Sequence, residues 1–259
     1  MKKAIKTNTK LHRQDIIVHE QVDSLRLNKF ISDSGYCSRR EADRLIETGQ
    51  VKINGEVALL GTKVFPKDIV TVKGTKINLT NKAVYIMLYK PTGITCTNDL
   101  RVRGNIRNFV DYHELIFPIG RLDKDSSGLI LLTNDGDIVN KILRAENGHE
   151  KEYVVTVDKD ITPQFIKHLE EGVTIFNQVA NKNQVTAPTT IVQTDKRTFK
   201  ITLKQGLNRQ IRRMTETQGY IVKSLKRIRI INLKLGSLKV GQWRYLTDEE
   251  LIQLNKDIN

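Results

Sequence analysis

The segment from Pro118 to Thr133, PIGRLDKDSSGLILLT, constrains the fold more than any other part of this chain. Its second half contains an uninterrupted apolar run, Leu129 to Leu132, between Gly128 and Asn134. A short apolar run between turn residues predicts a strand that is buried on both faces. Asp123 precedes this strand in a loop rich in Gly and Ser, so the sequence places a carboxylate at the edge of a sheet, where a scaffold can present a reactive group.

The immediate neighbours of Asp123 carry positive charge. Arg121 precedes it by two residues and Lys124 follows it by one, and both would favour the ionised carboxylate. From this local pattern alone, a catalytic carboxylate and an acidic turn flanked by basic residues are equally good interpretations.

Composition excludes several classes of protein. No run of about 18 apolar residues occurs, so no membrane span is predicted. The polar, Lys-rich start of the chain, Met1 to Lys10, has no apolar core of a signal peptide. Cys37 and Cys96 have neither disulfide nor metal spacing, and a cytoplasmic location is expected. The sequence has no phosphate-binding loop, metal cluster or dinucleotide fingerprint, so no cofactor is predicted.

Charge is the informative part of the composition. The 259 residues include 43 Lys or Arg and 29 Asp or Glu, a net charge of +14. Between residues 200 and 234 there are ten basic residues and one acidic residue, a local charge of 10 − 1 = +9. Such a block predicts a polyanion-binding surface. It contains strand-like stretches rather than one long amphipathic helix, which favours nucleic acid over a membrane.

The chain divides into four predicted parts. Residues 1–22 form a basic, flexible leader, and residues 23–75 form a small module. Residues 76–82 form a linker, and residues 83–259 form a larger domain in which short apolar strands alternate with helices. This alternation predicts an α+β domain built on a sheet.

Local signals predict several of the elements. Ser38 and Glu41 have the spacing of a capping box for a helix that ends near Thr48, and Asn54-Gly55 predicts a two-residue hairpin turn. Thr162-Pro163 predicts the start of a helix that Gly172 closes, and Asn208 to Gln218 reads as another helix. A second capping box, Thr247 to Glu250, predicts a C-terminal helix that buries Leu251 and Leu254.

The text RLNKFISDSGYCSRREADRLIETGQVKINGE resembles the small alpha-L RNA-binding module first described in a ribosomal protein. A capped helix that displays arginines gives a rigid face for phosphate contacts. From composition alone, an ordinary charged helix is an equal alternative, because nearby acidic residues almost cancel the arginines. The resemblance assigns five basic residues to RNA binding: Lys29, Arg39, Arg40, Arg44 and Lys52.

The pattern G-R-L-D-x-D-[ST]-x-G-L-[IL]-[IL]-L-T resembles the catalytic segment of the pseudouridine synthases, in the RsuA-like family that modifies ribosomal RNA. The resemblance implies an α+β fold with a mixed, mainly antiparallel sheet and flanking helices. It also implies that Asp123 is the essential residue, acting as a nucleophile or as a base. Ser126 stands where many relatives carry Thr, which keeps the hydroxyl.

Two more catalytic candidates follow from the resemblance. Tyr153, in HEKEYVV, stands where the family places a tyrosine that stacks on the flipped base, although its own pattern suggests only a half-buried strand residue. Arg212, in QGLNRQIRRM, stands where the family has an arginine that pairs with the catalytic carboxylate. Arg209, expected on the same helix face as Arg212, and Arg213 are assigned to contacts with the RNA backbone.

The remaining substrate-binding candidates are placed less directly. Ile201 and Leu203 read as core residues of a strand, while the family uses an apolar residue here to line the uracil pocket. Lys90 and Arg121 belong to matching blocks on the substrate side, with a supporting role expected for Lys90.

The motifs KEYVVTVDK, QGLNRQIRRMTE and RIRIINLKLG most resemble family members that act on large-subunit (23S) ribosomal RNA. Small-subunit ribosomal RNA and tRNA are alternative substrates, and a monomer is expected. A non-catalytic ribosome-assembly factor is the contrasting class, but a carboxylate in a phosphate-binding cleft would only repel its ligand. A hydrolase that uses Asp123 with Asp125 is disfavoured, since two residues apart these carboxylates lie too close together.

Overall fold

The computed structural model describes residues 3–7, 17, 23–79, 83–143 and 148–259. Most of the predicted leader, residues 1–22, lies outside the described residues, as do residues 80–82 of the predicted linker. Along the described parts of the chain, every helix is too short or too polar to cross a membrane.

The N-terminal module packs two helices against short strands. Its elements are β2 (Leu25–Arg26), α1 (Leu27–Asp33), α2 (Arg39–Glu47), β3 (Val51–Ile53), β4 (Glu56–Val57), β5 (Lys63–Val64), β6 (Val70–Val72) and β7 (Thr75–Ile77). A four-stranded antiparallel sheet has the order β4-β3-β6-β7, and β2 pairs with β5.

The local signals in this module are largely confirmed. The Ser38 side chain accepts a hydrogen bond from the Glu41 amide, as an N-cap does. The Glu41 carboxylate pairs with Arg44 at 3.3 Å instead of completing the predicted capping box. Asn54 and Gly55 both have positive φ, 52° and 93°, as the turn between β3 and β4 requires.

The larger unit is built on one extended sheet with helices on both faces. Its elements are β8 (Tyr85–Lys90), α3 (Ile106–Val110), β9 (Phe117–Ile119), β10 (Ser127–Thr133), α4 (Gly136–Leu143), β11 (Lys151–Val157), α5 (Pro163–Glu171), β12 (Thr174–Asn177), β13 (Lys182–Val185), β14 (Thr190–Asp195), β15 (Thr198–Leu203), α6 (Gln210–Thr217), β16 (Val222–Ile230), β17 (Leu233–Lys234), β18 (Gln242–Tyr245) and α7 (Asp248–Ile258).

The sheet is mixed and mainly antiparallel, as expected. Its order is β1-β18-β8-β10-β16-β11-β15-β14, where β1 is Ile5–Lys6. The β10–β16 and β1–β18 pairs are parallel, and the other pairs along this path are antiparallel. In addition, β9 pairs with β10, and β17 pairs with β16. The predicted helix starts are confirmed at Thr162, which caps α5, and at Thr247, where both bonds of the capping box are present.

The central strand β10 is buried on both faces, which confirms the first prediction. Leu129 and Leu131 belong to one core cluster, together with residues of α7, whereas Ile130 and Leu132 belong to another, together with residues of α3. The alternation follows from the two-residue period of a strand. Because β10 is packed on both faces, the end of the loop that precedes it is fixed.

Strand β1 lies within the segment that was predicted to be a flexible leader. Its two residues pair with β18, and Lys6 places its ammonium 4.7 Å from the centroid of the Tyr245 ring. This contact has the geometry of a cation–π interaction. The beginning of the chain is therefore attached to the edge of the large sheet.

Gly128 allows β10 and β16 to approach each other closely. It has φ +109°, and a Cβ at this position would lie 2.2 Å from the carbonyl oxygen of Arg227. Any side chain here would therefore clash with backbone atoms as well as strain φ.

We expect Gly128→Ala to lower the free energy of unfolding by at least about 2 kcal/mol, because overpacking and an unfavourable φ each cost about 1–3 kcal/mol. Urea denaturation measures this change. Gly206→Ala is the matched control, since Gly206 has no positive φ and no atom within 4 Å of the added Cβ. Equal stability of the two variants would contradict the prediction.

Lys90, the last residue of β8, is fully buried. Its ammonium group donates hydrogen bonds to the carbonyl oxygens of Pro91 at 2.9 Å and Ile94 at 3.0 Å, which closes the turn after the strand. Burial lowers the pKa of Lys90 to about 8, and the nearby charge of Arg227 acts in the same direction. The folded protein therefore releases the Lys90 proton at a lower pH than the unfolded chain does.

This difference predicts a pH dependence of stability. Between pH 8 and about 10.4 the unfolded state binds more protons, so the contribution of Lys90 to stability rises with pH, by at most about 1.4 kcal/mol per unit. We expect the difference in unfolding free energy between the wild type and Lys90→Met to shift in favour of the wild type from pH 8 to 9.5. Urea denaturation at several pH values tests this expectation, and parallel pH profiles would contradict it.

Candidate active site

A cavity of about 1030 Å³ opens where the loop before β10 meets β11, β16 and the segment that leads into α6. Asp123 is the one acidic residue among those that line it. Six lining residues are basic: Arg40, Arg121, Lys151, Lys204, Arg209 and Arg227. The excess of positive charge favours an anionic ligand, and the volume is at the upper limit of that of small-molecule sites. No group of three or more potential metal ligands occurs in the described stretches of the chain.

The loop before β10 holds Asp123 at the cavity wall. Leu122 is buried, and its amide donates a hydrogen bond to the Cys96 sulfur at 3.4 Å. The carbonyl oxygen of Asp123 accepts a hydrogen bond from the Ser126 amide at 3.1 Å. The Asp123 side chain nevertheless stays 31% exposed. Its backbone is thus fixed while its carboxylate faces the cavity.

Arg212 ties this loop to α6, but not through the predicted contact. It pairs with the Asp125 carboxylate at 3.3 Å and donates hydrogen bonds to the Asp125 carbonyl oxygen at 3.1 Å and to Ser126 Oγ at 3.4 Å. The predicted ion pair with Asp123 is therefore wrong for this structure. The Arg212 side chain is only 9% exposed, so it holds the loop from the protein interior.

Arg209 is the residue that reaches Asp123. It is the N-cap of α6, with φ 50°, and so lies outside the helix. The expectation that it shares the helical face of Arg212 is therefore wrong. Its guanidinium lies 3.6 Å from the Asp123 carboxylate and donates to both Asp125 oxygens at 3.1 and 3.2 Å. Its predicted contact with the RNA backbone stays a prediction, and it would have to compete with these two carboxylates.

The two arginines set the ionisation of Asp125. Burial acts to raise the pKa of this carboxyl, but the hydrogen bond from Arg209 and the charges of Arg212 and Arg209 outweigh it, so the pKa lies below its usual value. Asp125 is therefore an ionised anchor between the loop and α6.

Arg213 also serves the protein in this structure. It donates to the carbonyl oxygen of Phe176 at 2.5 Å and to Asn208 Oδ1 at 2.9 Å, which joins α6 to β12. The predicted contact with the RNA backbone would have to compete with these bonds. Lys90 is likewise misplaced among the substrate-binding residues, because it is fully buried and does not line the cavity.

Tyr153 lies where a stacking residue is needed. It lines the same cavity as Asp123 and is half-buried on β11. Leu203 and Leu225 provide apolar wall, whereas Ile201, the neighbour of Tyr153 across β15, is fully buried and does not line the cavity. The expectation of an apolar wall on β15 therefore applies to Leu203 alone. Arg121 lines the cavity and is exposed.

The N-terminal module reaches the cavity through Arg40. Arg39, Arg44 and Lys52 are exposed, as a phosphate-binding role requires. Lys29 differs, because it pairs with Asp33 at 2.6 Å and with Asp137 of α4 at 3.0 Å. It joins the module to the larger unit, so its predicted contact with RNA would have to compete with these two carboxylates.

Three basic cavity residues were not singled out from the sequence: Lys151, Lys204 and Arg227. Lys151 begins β11, and its pKa is lowered, first by burial and second by the charge of Arg227. Arg227 lies on β16 and is 3% exposed. The sequence shows Lys151 and Arg227 only as strand residues in basic surroundings, since alternation along a strand does not tell which face lines a cavity.

Comparisons with known proteins agree with this geometry. A family model described as RNA pseudouridylate synthase matches residues 84–217, and a model of the S4 domain matches residues 25–70. The chain is 54% identical over 235 residues to the dual-specificity RNA pseudouridine synthase RluF of Escherichia coli (strain K12), which covers 90% of this chain and 79% of the relative. It is 38% identical to the ribosomal large subunit pseudouridine synthase B of Bacillus subtilis (strain 168), with 88% and 95% covered.

A solved structure shows the same fold. The crystal structure of a pseudouridylate synthase aligns with a TM-score of 0.65 and 31% identity over 89% of this chain and 99% of that one. The identity, the coverage and the two matching family models together show that the chain belongs to the RsuA-like family of RNA pseudouridine synthases.

Proposed function

We propose that this pseudouridine synthase acts at a specific uridine of large-subunit (23S) ribosomal RNA and that Asp123 is its catalytic residue. The observation that carries the assignment is the cavity, in which Asp123 is the one acidic lining residue among six basic ones. Basic residues attract the RNA, but they give no reason for a carboxylate at this place. Attack on a ribose, or removal of its proton, does give such a reason.

The chemistry assigns separate tasks to three parts of the cavity. The target nucleotide leaves the helix stack at a cost of a few kcal/mol and needs a pocket to receive it. Stacking on Tyr153 would return about 1–3 kcal/mol. Asp123 then attacks the sugar as a nucleophile or takes a proton from it as a base. Arg212, through Asp125 and Ser126, holds the loop that presents Asp123.

The names of the relatives support the choice of RNA. The Bacillus subtilis relative is named for the ribosomal large subunit, and the more similar RluF is named as having dual specificity. Large-subunit ribosomal RNA is therefore the first candidate substrate. Small-subunit ribosomal RNA and tRNA are the alternative substrates for this chain.

We expect the wild type to release tritium from large-subunit ribosomal RNA labelled at C5 of uridine, since the new bond to C1′ replaces the C5–H bond. Asp123→Asn should lower the rate by at least about 10³-fold, as loss of a catalytic group does. The assay counts tritium in water under single-turnover conditions, with small-subunit ribosomal RNA and tRNA tested in parallel.

Asp125→Asn is the matched control for this experiment. It removes a carboxylate two residues away that anchors the loop, so it should slow the reaction less than Asp123→Asn does. Equal activity of Asp123→Asn and the wild type would contradict the assignment of Asp123. Release from tRNA or small-subunit RNA alone would contradict the choice of large-subunit RNA.

We also propose that the exposed arginines of α2 contact RNA phosphates beside the cavity. The variant Arg39→Gln/Arg40→Gln should bind RNA more weakly, and the slope of log K against log salt should fall by about 0.7–0.9 for each lost contact. Filter binding at several salt concentrations measures this change. Lys67→Gln, an exposed charge of the same module outside α2, is the control, and equal slopes for both variants would contradict the proposal.

A further inference from the structure

Arg227 is a buried cation whose hydrogen-bonding capacity is only partly used. Its Nε donates to the carbonyl oxygen of Leu129 at 2.7 Å, and its Nη1 reaches that of Arg121 at 3.5 Å. Its Nη2 is buried and has no hydrogen-bond partner among the described residues. The side chain is 3% exposed and lines the cavity. A buried donor without a partner is unfavourable, and such groups in native structures need an explanation.

The other arginines around this site differ from Arg227 in their partners. Arg209 and Arg212 pair with Asp125, and Arg229, two residues further along β16, pairs with Glu150 and Glu152. No carboxylate of the described residues forms an ion pair with Arg227. Burial of an uncompensated charge is costly, so an anionic or strongly polar ligand group in the cavity would be favoured at this point.

Arg227 lies next to Tyr153 and also contacts the loop that carries Asp123. Arg227 and Tyr153 are direct neighbours across the antiparallel pair of β16 and β11, so their side chains leave the same face of the sheet. The carbonyl oxygen that Nη1 reaches belongs to Arg121, two residues before Asp123. The guanidinium therefore lies between the stacking residue and the loop of the catalytic carboxylate.

The reaction creates a negative charge that has no other assigned partner. When the bond between N1 and C1′ breaks, both bonding electrons stay with uracil, which becomes an anion with charge on O2 and O4. Asp123 meanwhile holds C1′ as an ester or has taken the C2′ proton. An electron pair of the uracil anion then joins C5 to C1′, the bond or proton at Asp123 is given back, C5 loses its proton and N1 takes one up.

We propose that Arg227 is a further catalytic residue, whose Nη2 donates a hydrogen bond to a carbonyl oxygen of the flipped uracil and stabilises the detached uracil anion. This inference rests on the proposed assignment of Asp123 and Tyr153. A cation that the fold holds in place is more effective at this task than a mobile one, because it needs no reorganisation during the reaction. The same contact retains the uracil while it turns.

The test is a chemical double-mutant cycle with the RNA that the wild type converts. The target uridine is replaced by 2-thiouridine or 4-thiouridine, because sulfur accepts hydrogen bonds poorly. Arg227→Gln should lower the single-turnover rate by about 10²–10³-fold, the cost of one oxyanion donor, with little change in RNA affinity. At the carbonyl that Arg227 contacts, the thio substitution should slow the wild type more than it slows Arg227→Gln.

Three controls make the outcome decisive. Intrinsic effects of sulfur on the leaving group act on both enzymes and cancel in the cycle. Arg244→Gln removes a mostly buried arginine that pairs with Glu250 and does not line the cavity, so it should leave the thio effect at its wild-type size. Arg227→Lys keeps the charge and should recover part of the rate. Circular dichroism establishes that each variant is folded.

Thio effects of equal size in the wild type and in Arg227→Gln would overturn the role of Arg227. Failure of both Arg227 variants to fold would also overturn it, since the residue would then serve stability. An inactive wild type, or an active Asp123→Asn, would instead contradict the proposed function, so the two failures are distinguishable.

Discussion

The contact between Arg212 and the loop before β10 is the interaction on which the rest of the site depends. It joins residues that are 87 positions apart in the sequence, at the carbonyl oxygen of Asp125. On one side, β10 is buried on both faces and fixes the end of the loop. On the other, α6 carries four further buried residues and cannot shift freely. The guanidinium connects these two rigid elements. Asp123 lies in the short loop before β10, which this contact holds in place.

Much of this arrangement could be predicted because it depends on local patterns. The double burial of β10, the caps at Ser38, Thr162 and Thr247 and the turn at Asn54-Gly55 are all read from a few adjacent residues, and the structure contains them. The place of Asp123 before a buried strand also follows from such a pattern. The shared cavity of Asp123 and Tyr153 required the family resemblance, since nothing local brings β11 to that loop.

Several basic side chains that the sequence offered to RNA have partners within the protein. Lys29 pairs with Asp137 and Arg213 donates to the carbonyl oxygen of Phe176, both in distant parts of the chain. Lys90 is buried and donates to the nearby carbonyl oxygen of Ile94. A sequence gives the charge of a side chain, but the partner depends on tertiary packing. Arg209, and not the predicted Arg212, lies within ion-pair distance of Asp123, because the left-handed N-cap at Arg209 removes this residue from the helical periodicity.

The ion pairs around the cavity show why the Asp123 carboxylate stays accessible. Its pair with Arg209 spans 3.6 Å, with side chains 31% and 40% exposed, and exposed pairs of this kind contribute about 0–1 kcal/mol. Such a pair does not lock the carboxylate. The stronger bonds of Arg209 and Arg212 go to Asp125, which therefore takes up the charge of both arginines as a structural anion. With its neighbour serving as the anchor, Asp123 keeps its carboxylate for the ligand. Arg227 has no such carboxylate partner among the described residues, and its Nη2 is left without a hydrogen-bond partner in the same cavity.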